Sequence, residues 1–250
     1  MTVRIGSCFA GIGGWELGLE RAIPNSHTIW QVEQNTFCQS ILKKHWPNAT
    51  IFDDVHTVGA HNLQPIDLLC AGFPCQDLSL AGNQRGIHDG EKSSLYWELH
   101  RIICELRPRI ICLENVANII RLGGTDVVGS LAKIGYDCEW TIIRSGADFG
   151  LPHIRKRWFC VAYPTGFRQQ GQGKHRHPKY PKKNTNWQTG GIISAIQSNA
   201  LPYVCRTHHG LSTRLARQMM KALGNAIVPQ ASEWIGRQIV QSGLIDDLID

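Results

Sequence analysis

Val3-Arg4-Ile5-Gly6-Ser7-Cys8-Phe9-Ala10-Gly11-Ile12-Gly13-Gly14 decides the fold of this 250-residue chain. The apolar run from Val3 to Phe9 reads as a strand. A glycine-rich turn follows it, and Trp15 to Ala22 has the spacing of a helix. Glycines between a strand and a helix let the backbone turn tightly and approach a ligand closely. The spacing departs from the strict dinucleotide fingerprint. Taken alone, the turn is either a cofactor loop at the carboxyl end of the first strand or a plain tight turn.

The same alternation continues outward. His27 to Val32 reads as a second strand, with a helix after it through Phe37, Ile41 and Leu42. Ile66 to Ala71 reads as a buried strand. Leu95, Leu99, Ile102, Ile103 and Leu106 share one helical face, and Pro108 stops that helix. Arg109 to Leu113 is the next strand, and Val127 to Ile134 is a helix ended by Gly135. Cys138 to Ile143 and Trp158 to Ala162 are expected to be two neighbouring, antiparallel strands. Strands alternating with helices predict an α/β sheet covered on both faces. Composition changes at Pro164: residues 165–190 are rich in Gly, Gln, Lys, His, Pro and Asn, which predicts a loop-dominated insert. Helices are expected again at Ser212 to Leu223 and Gln230 to Gly243. The domain organisation expected is therefore 1–163, 164–211 and 212–250.

Charge is distributed unevenly. Residues 1–148 carry a balance of −4, residues 149–232 hold 13 Lys/Arg and no acid, and the rest carries −3, for a net +6. A long stretch of one sign attracts polyanions, of which phosphate backbones are the common kind. A solvated basic face is the competing explanation. Nine cysteines contain no Cys-x-x-Cys pair, so the usual zinc spacing is missing and no metal is expected. Most of them sit in apolar runs and read as small buried hydrophobes in a reducing compartment. No apolar run approaches the roughly 20 residues of a membrane helix. Met1 to Gly6 leads straight into a strand, so no signal peptide is expected, and a cytoplasmic protein is.

Six further features bear on chemistry. Glu33 ends the second strand, where a carboxylate can accept both hydroxyls of a ribose. Asp54 follows a third strand and stands where an adenine amino group would be met. Gly72-Phe73-Pro74-Cys75-Gln76 follows the strand ending at Ala71. Proline there stiffens the turn and sets a thiol at the sheet edge where open α/β folds bind ligands. Glu114-Asn115-Val116 ends the strand after it, and a carboxyl between apolar walls can hold a proton and donate it. Asn115 as a helix cap is the plainer alternative. In His153-Ile154-Arg155-Lys156-Arg157, strand alternation sets Arg155 and Arg157 on one face, fit for a phosphate or a carboxylate. Late in the chain stands Gly224-Asn225-Ala226-Ile227-Val228-Pro229.

In this order, these motifs resemble the cytosine-5 DNA methyltransferases, over nearly the whole chain except about 165–207. Gln84-Arg85-Gly86 and Ser94-Leu95 fit the same pattern. The resemblance implies a Rossmann-like S-adenosylmethionine-dependent methyltransferase fold: a mostly parallel sheet with a C-terminal antiparallel strand, plus a small target-recognition region. It assigns Phe9, Ala10, Gly11, Ile12, Gly13, Gly14, Glu33, Asp54, Val55, Pro74, Leu95 and Asn225 to S-adenosylmethionine. It assigns Cys75, Glu114, Arg155 and Arg157 to catalysis. Gln76, Ser79, Arg85, Arg168, Lys174, Arg176, Lys182 and Lys183 are assigned to DNA, with Asn186 a further candidate in the insert, where the sequence does not sort phosphate from base readers.

By resemblance, Cys75 attacks carbon 6 of a flipped-out cytosine, Glu114 binds its N3 and amino group, and carbon 5 receives the methyl group. Arg155 holds the base and Arg157 orients Glu114 or a phosphate. The sequence departs from the pattern at His153, where the family usually has Gln, and at Gln34, often an aromatic. The insert, about 50 residues, is short for a target-recognition region. The partners implied are double-stranded DNA and, separately, a cognate restriction endonuclease, with the enzyme itself a monomer of phage, prophage or restriction-modification type. Two other readings rank lower: a DNA-binding protein without catalysis, and an RNA methyltransferase on the same scaffold.

Overall fold

The structure, a computed structural model, describes residues 2–74, 94–151, 155–167 and 213–249. Among them the chain runs β1 (Val3–Cys8), α1 (Gly14–Ala22), β2 (Ser26–Val32), α2 (Thr36–His45), β3 (Thr50–Phe52), a 3-10 turn (Val55–Thr57), β4 (Leu68–Gly72) and α3 (Ser94–Leu106). It continues with β5 (Ile110–Val116), α4 (Ile119–Leu122), α5 (Gly124–Lys133), β6 (Tyr136–Arg144), α6 (Ser145–Phe149) and β7 (Lys156–Pro164). Three helices follow: α7 (Thr213–Asn225), α8 (Pro229–Gln241) and α9 (Asp246–Ile249).

The seven strands form one sheet in the order β3-β2-β1-β4-β5-β7-β6. β3, β2, β1, β4 and β5 pair in parallel. β7 lies between β5 and β6 and runs antiparallel to both, as expected for the last two strands. Strands β4 and β5 carry continuous apolar runs, Leu68 to Ala71 and Ile110 to Leu113, because both faces are covered. Leu69, Ala71, Ile111 and Leu113 pack with Tyr96, Leu99, Ile102 and Ile103 of α3 and with Val127 and Leu131 of α5. Leu68, Cys70, Ile110 and Cys112 pack on the other face with Trp15 and Leu19 of α1 and Ala231, Ile235 and Ile239 of α8. Of the described cysteines, Cys8, Cys38, Cys70, Cys112 and Cys160 are buried, Cys138 is half-buried and Cys104 is exposed.

Strand β5 is longer than its apolar run. Glu114, Asn115 and Val116 continue it by pairing with Phe159, Trp158 and Arg157 of β7. Asn115 is therefore a buried strand residue and caps no helix, which corrects that alternative. The pairing partner comes some forty residues later, beyond the reach of a local pattern.

Helix α8 closes the α1 face by close approach. A Cβ on Gly18 would lie 2.0 Å from Ser232 Oγ and 2.5 Å from Pro229 O, and one on Gly236 would lie 2.6 Å from Ala22 Cβ. Ser232 Oγ donates to Gly14 O at 2.8 Å. Gly18→Val is expected to cost about 1–3 kcal/mol in urea unfolding through overpacking. Gly129→Ala in α5, where a Cβ meets nothing within 4 Å, should be neutral or stabilise by up to about 1 kcal/mol. Equal losses at the two positions would contradict the packing described.

Candidate active site

Two groups of residues meet at the carboxyl edge of the sheet. The first surrounds the turn after β1. Phe9 and Gly11 have positive φ, 56° and 58°, and Gly13, at φ 87°, packs so tightly that a Cβ would lie 2.2 Å from the Trp46 ring. Ala10 N–H donates to Val32 O at 3.2 Å, and Gly13 N–H to Ala10 O at 3.0 Å. The turn is thereby tied to the end of β2. Glu33 follows β2 directly. Its Oε2 accepts from Gly11 N–H at 2.7 Å and its Oε1 from Asn35 N–H at 2.8 Å. Burial raises its carboxyl above the ordinary range, against the pull of those two bonds.

Asp54 caps the 3-10 turn, accepting from His56 N–H at 2.9 Å, and meets His56 Nδ1 at 2.7 Å. These contacts hold its carboxyl below the usual range. Val55 is buried in the core, and its carbonyl accepts from Arg101 Nη2 at 3.2 Å. Leu95 is half-buried against the same core. Gln34 is exposed.

The second group is built on β4, β5 and β7. Glu114 stands opposite Gly72 on one side and Phe159 on the other. It is 7% exposed. Arg157 Nε lies 2.9 Å from Glu114 Oε1 as an ion pair, and that oxygen has no well-aligned hydrogen bond among the described residues. Burial pushes the Glu114 carboxyl up to about 7, and the nearby charges of Arg157 and Arg155 pull the other way. Arg155 donates through Nη1 to Gly224 O. Its Nε is buried without a hydrogen-bond partner among the described residues, and desolvation together with Arg157 lowers its pKa. A buried acid oxygen and a buried guanidinium N–H, both unsatisfied, suit a polar ligand offering a donor and an acceptor.

Asn115 donates through Nδ2 to Phe73 O at 3.2 Å. That bond pins the turn Gly72-Phe73-Pro74. Ile227 was legible only as a member of its motif. Its carbonyl would be 2.2 Å from a Cβ on Gly14, and its Cδ1 would be 3.1 Å from one on Gly72. The segment between α7 and α8 thus touches both groups. Asn225 is exposed at the end of α7. Cys75, Gln76, Ser79, Arg85, His153, Arg168, Lys174, Arg176, Lys182, Lys183 and Asn186 lie outside the described residues. Among the described residues no cluster of His, Cys, Asp and Glu has metal-binding geometry.

A sheet of this order with a cofactor-type turn at its first strand and a buried acid at its fifth is a class of protein before it is a particular one. The family model for C-5 cytosine-specific DNA methylases matches residues 3–215, and the chain belongs to that family. It is 30% identical over 166 residues to the Type II methyltransferase M.Bsp6I of Bacillus sp. (strain RFL6), covering 64% of this chain and 52% of that protein. It is 37% identical over 164 residues to M.CviJI of Paramecium bursaria Chlorella virus IL3A, covering 65% and 43%. The chain thus spans about half the length of these curated relatives. In fold it is similar to the Entamoeba histolytica methyltransferase EhMeth, with a TM-score of 0.69, 18% identity and the whole of both chains covered.

Arg157→Ala removes the cation nearest Glu114. The carboxyl should then titrate above its value of about 7, because an opposite charge favours the ionised form. Carbon-13 NMR of labelled glutamate, assigned with Glu114→Gln, reads this directly. An unchanged or lower value would contradict the ion pair.

Proposed function

We propose that the protein transfers a methyl group from S-adenosylmethionine to carbon 5 of a flipped-out cytosine in double-stranded DNA, with Cys75 as the nucleophile. The observation that carries this reading is Glu114: a buried carboxyl, raised to about 7, one strand away from the turn that ends at Pro74 and leads into Cys75. A cytosine offers the complement, with an exocyclic amino donor and a ring nitrogen acceptor on its Watson–Crick edge. Such an edge is read once the base leaves the stack.

The residues of the first group fit S-adenosylmethionine. Each Glu33 oxygen accepts one backbone N–H and keeps lone pairs for a ribose hydroxyl. A Cβ on Gly11 would meet nothing within 4 Å, so the backbone stands open to a ligand there. Asp54 and the turn Phe9 to Gly14 complete the candidate pocket, with Val55, Pro74, Leu95 and Asn225 around it. S-adenosylmethionine supplies an electrophilic methyl group when bound.

The chain's own residues do the rest. Cys75 as a thiolate forms a bond to carbon 6 and drives electron density toward carbon 5. Glu114 in its acid form donates to N3 and accepts from the amino group, stabilising the charge that develops. Arg157 holds Glu114, and Arg155 helps hold the base. Carbon 5 takes the methyl group with release of S-adenosylhomocysteine, and loss of the carbon 5 proton to water and of the thiolate then restores the ring. The 13 Lys/Arg without a carboxylate in 149–232 support a phosphate backbone as partner. Gln76, Ser79, Arg85, Arg168, Lys174, Arg176, Lys182 and Lys183 are the proposed DNA contacts. A modification role alongside a separate endonuclease, or a phage role, follows by likeness to the Type II relatives. A cytoplasmic place follows from acting on DNA. Among the described residues no helix is long and apolar enough to cross a membrane.

Duplex DNA incubated with the protein and S-adenosylmethionine should gain 5-methylcytosine, read by sequencing. Cys75→Ala should abolish it, and Glu114→Gln should slow it by roughly 10²–10⁴-fold, the usual size of acid–base assistance. The reading is overturned if wild type and Cys75→Ala leave DNA equally unmethylated at saturating cofactor.

A further inference from the structure

Behind the cofactor turn lies a buried polar row that the proposed chemistry does not use. Ser7 of β1 stands in register between Gln31 of β2 and Cys70 of β4. Glu16, in the first turn of α1, covers that row. Ser7, Glu16 and Gln31 have no exposure at all. Gln31 Nε2 donates to Glu16 Oε1 at 3.0 Å, and Cys70 Sγ is engaged with Gly6 O at 3.6 Å. Ser7 Oγ, Glu16 Oε2 and Gln31 Oε1 are buried with no hydrogen-bond partner among the described residues.

The inventory of donors decides what this row needs. A carboxylate and an amide oxygen only accept, so an ionised Glu16 and Gln31 Oε1 cannot satisfy each other. A neutral Glu16 has an O–H to give, and the Ser7 hydroxyl can relay a second donation. Burial dominates and pushes the Glu16 carboxyl up to about 7, while Ser7 and Gln31 pull it down. Of the charged groups nearby, Glu20 one turn on along α1 raises it, and the Cys70 thiol on β4, pushed up by burial and by Glu16, stays neutral. On α8, which packs across α1, Glu233 is paired with Arg237 at 2.7 Å. The positive end of α1 favours ionisation but does not outweigh burial.

We propose that Glu16 is a positioning residue for the methyl-donor pocket: as a neutral acid it ties the first turn of α1 to Ser7 and Gln31, and so fixes the strand ends that carry Phe9 and Glu33. This rests on the cofactor reading of that pocket. The lever is short. Ser7 is two residues from Phe9 and Gln31 two from Glu33, and the two strand ends are joined by Gly11 N–H to Glu33 Oε2. An ionised Glu16 would draw water under α1, part its first turn from the sheet and loosen that join.

The test is calorimetric binding of S-adenosylhomocysteine to the whole protein between pH 6 and 8.5. Wild type should weaken at least fivefold as pH rises through about 7. Glu16→Gln, which keeps shape and a donor, should stay within twofold of the pH 6 wild-type affinity throughout. Glu16→Leu, which cannot bridge, should bind about tenfold more weakly at every pH. Urea midpoints give a second readout. Glu16 has its folded value raised from 4.5 to about 7, so native stability relative to Glu16→Gln should fall across that window and level off above it. A purely structural role would move stability and leave affinity alone. Binding by wild type with a pH profile shared by Glu16→Gln overturns the inference by itself. Absence of binding by wild type at every pH overturns the reading of the pocket and the inference with it.

Discussion

The architecture of the site turns on burying one carboxyl, Glu114, between apolar strands with two arginines at its side. A lone ionised acid there would be costly. The antiparallel strand β7 makes the arrangement tolerable, because pairing with β5 brings Arg157 to 2.9 Å from the carboxyl. In an all-parallel sheet, the next strand would arrive through a long crossover. The reversed strand, arriving after α4, α5, β6 and α6, sets cations beside an acid that the core has already desolvated. The result is a carboxyl raised to about 7, poised between acid and base near neutral pH.

That edge is held in place from both ends. On the β4 side, Asn115 grips the Phe73 carbonyl and so fixes the turn leading to Cys75. From the far end of the chain, the α7–α8 junction reaches in, with Ile227 against Gly14 and Gly72 and Gly224 receiving Arg155. Gly18 and Gly236 are what allow α8 to approach α1 so closely, and Gly14 admits the Ile227 backbone. The glycine-rich turn after β1, the buried acid and the C-terminal segment thus share contacts, so a shift in one is felt by the others. The row of Ser7, Glu16 and Gln31 lies at the back of the same turn.

Much of this was legible in the sequence for a physical reason. The strands of a doubly covered sheet are continuous apolar runs, and Leu68-Leu69-Cys70-Ala71 and Ile110-Ile111-Cys112-Leu113 announce themselves. Glycine turns and Pro74 mark the sheet edge. The reach of β5 through Glu114 to Val116 was not legible, because its partner is distant in sequence and its last residues are polar. Asn115 was misjudged for the same reason: without β7, a polar residue after a strand looks like a cap. Glu16 was invisible because a glutamate in a first helical turn is ordinarily a solvated, dipole-favoured residue. Only packing against Ser7 and Gln31 gives it another meaning. The residues assigned to DNA lie outside the described residues, and their order along the chain does not distinguish phosphate contacts from base contacts.

The central claim is that Cys75 bonds covalently to carbon 6 of cytosine beside Glu114. It is tested most directly by mixing the protein and S-adenosylmethionine with duplex DNA carrying 5-fluorocytosine, whose carbon 5 lacks a removable proton after methyl transfer. The account predicts a stable protein–DNA adduct by mass spectrometry, with the modified peptide containing Cys75, and none for Cys75→Ser. An adduct mapped to another cysteine, or methylation of ordinary duplex with no trapping on the fluorinated one, would contradict it.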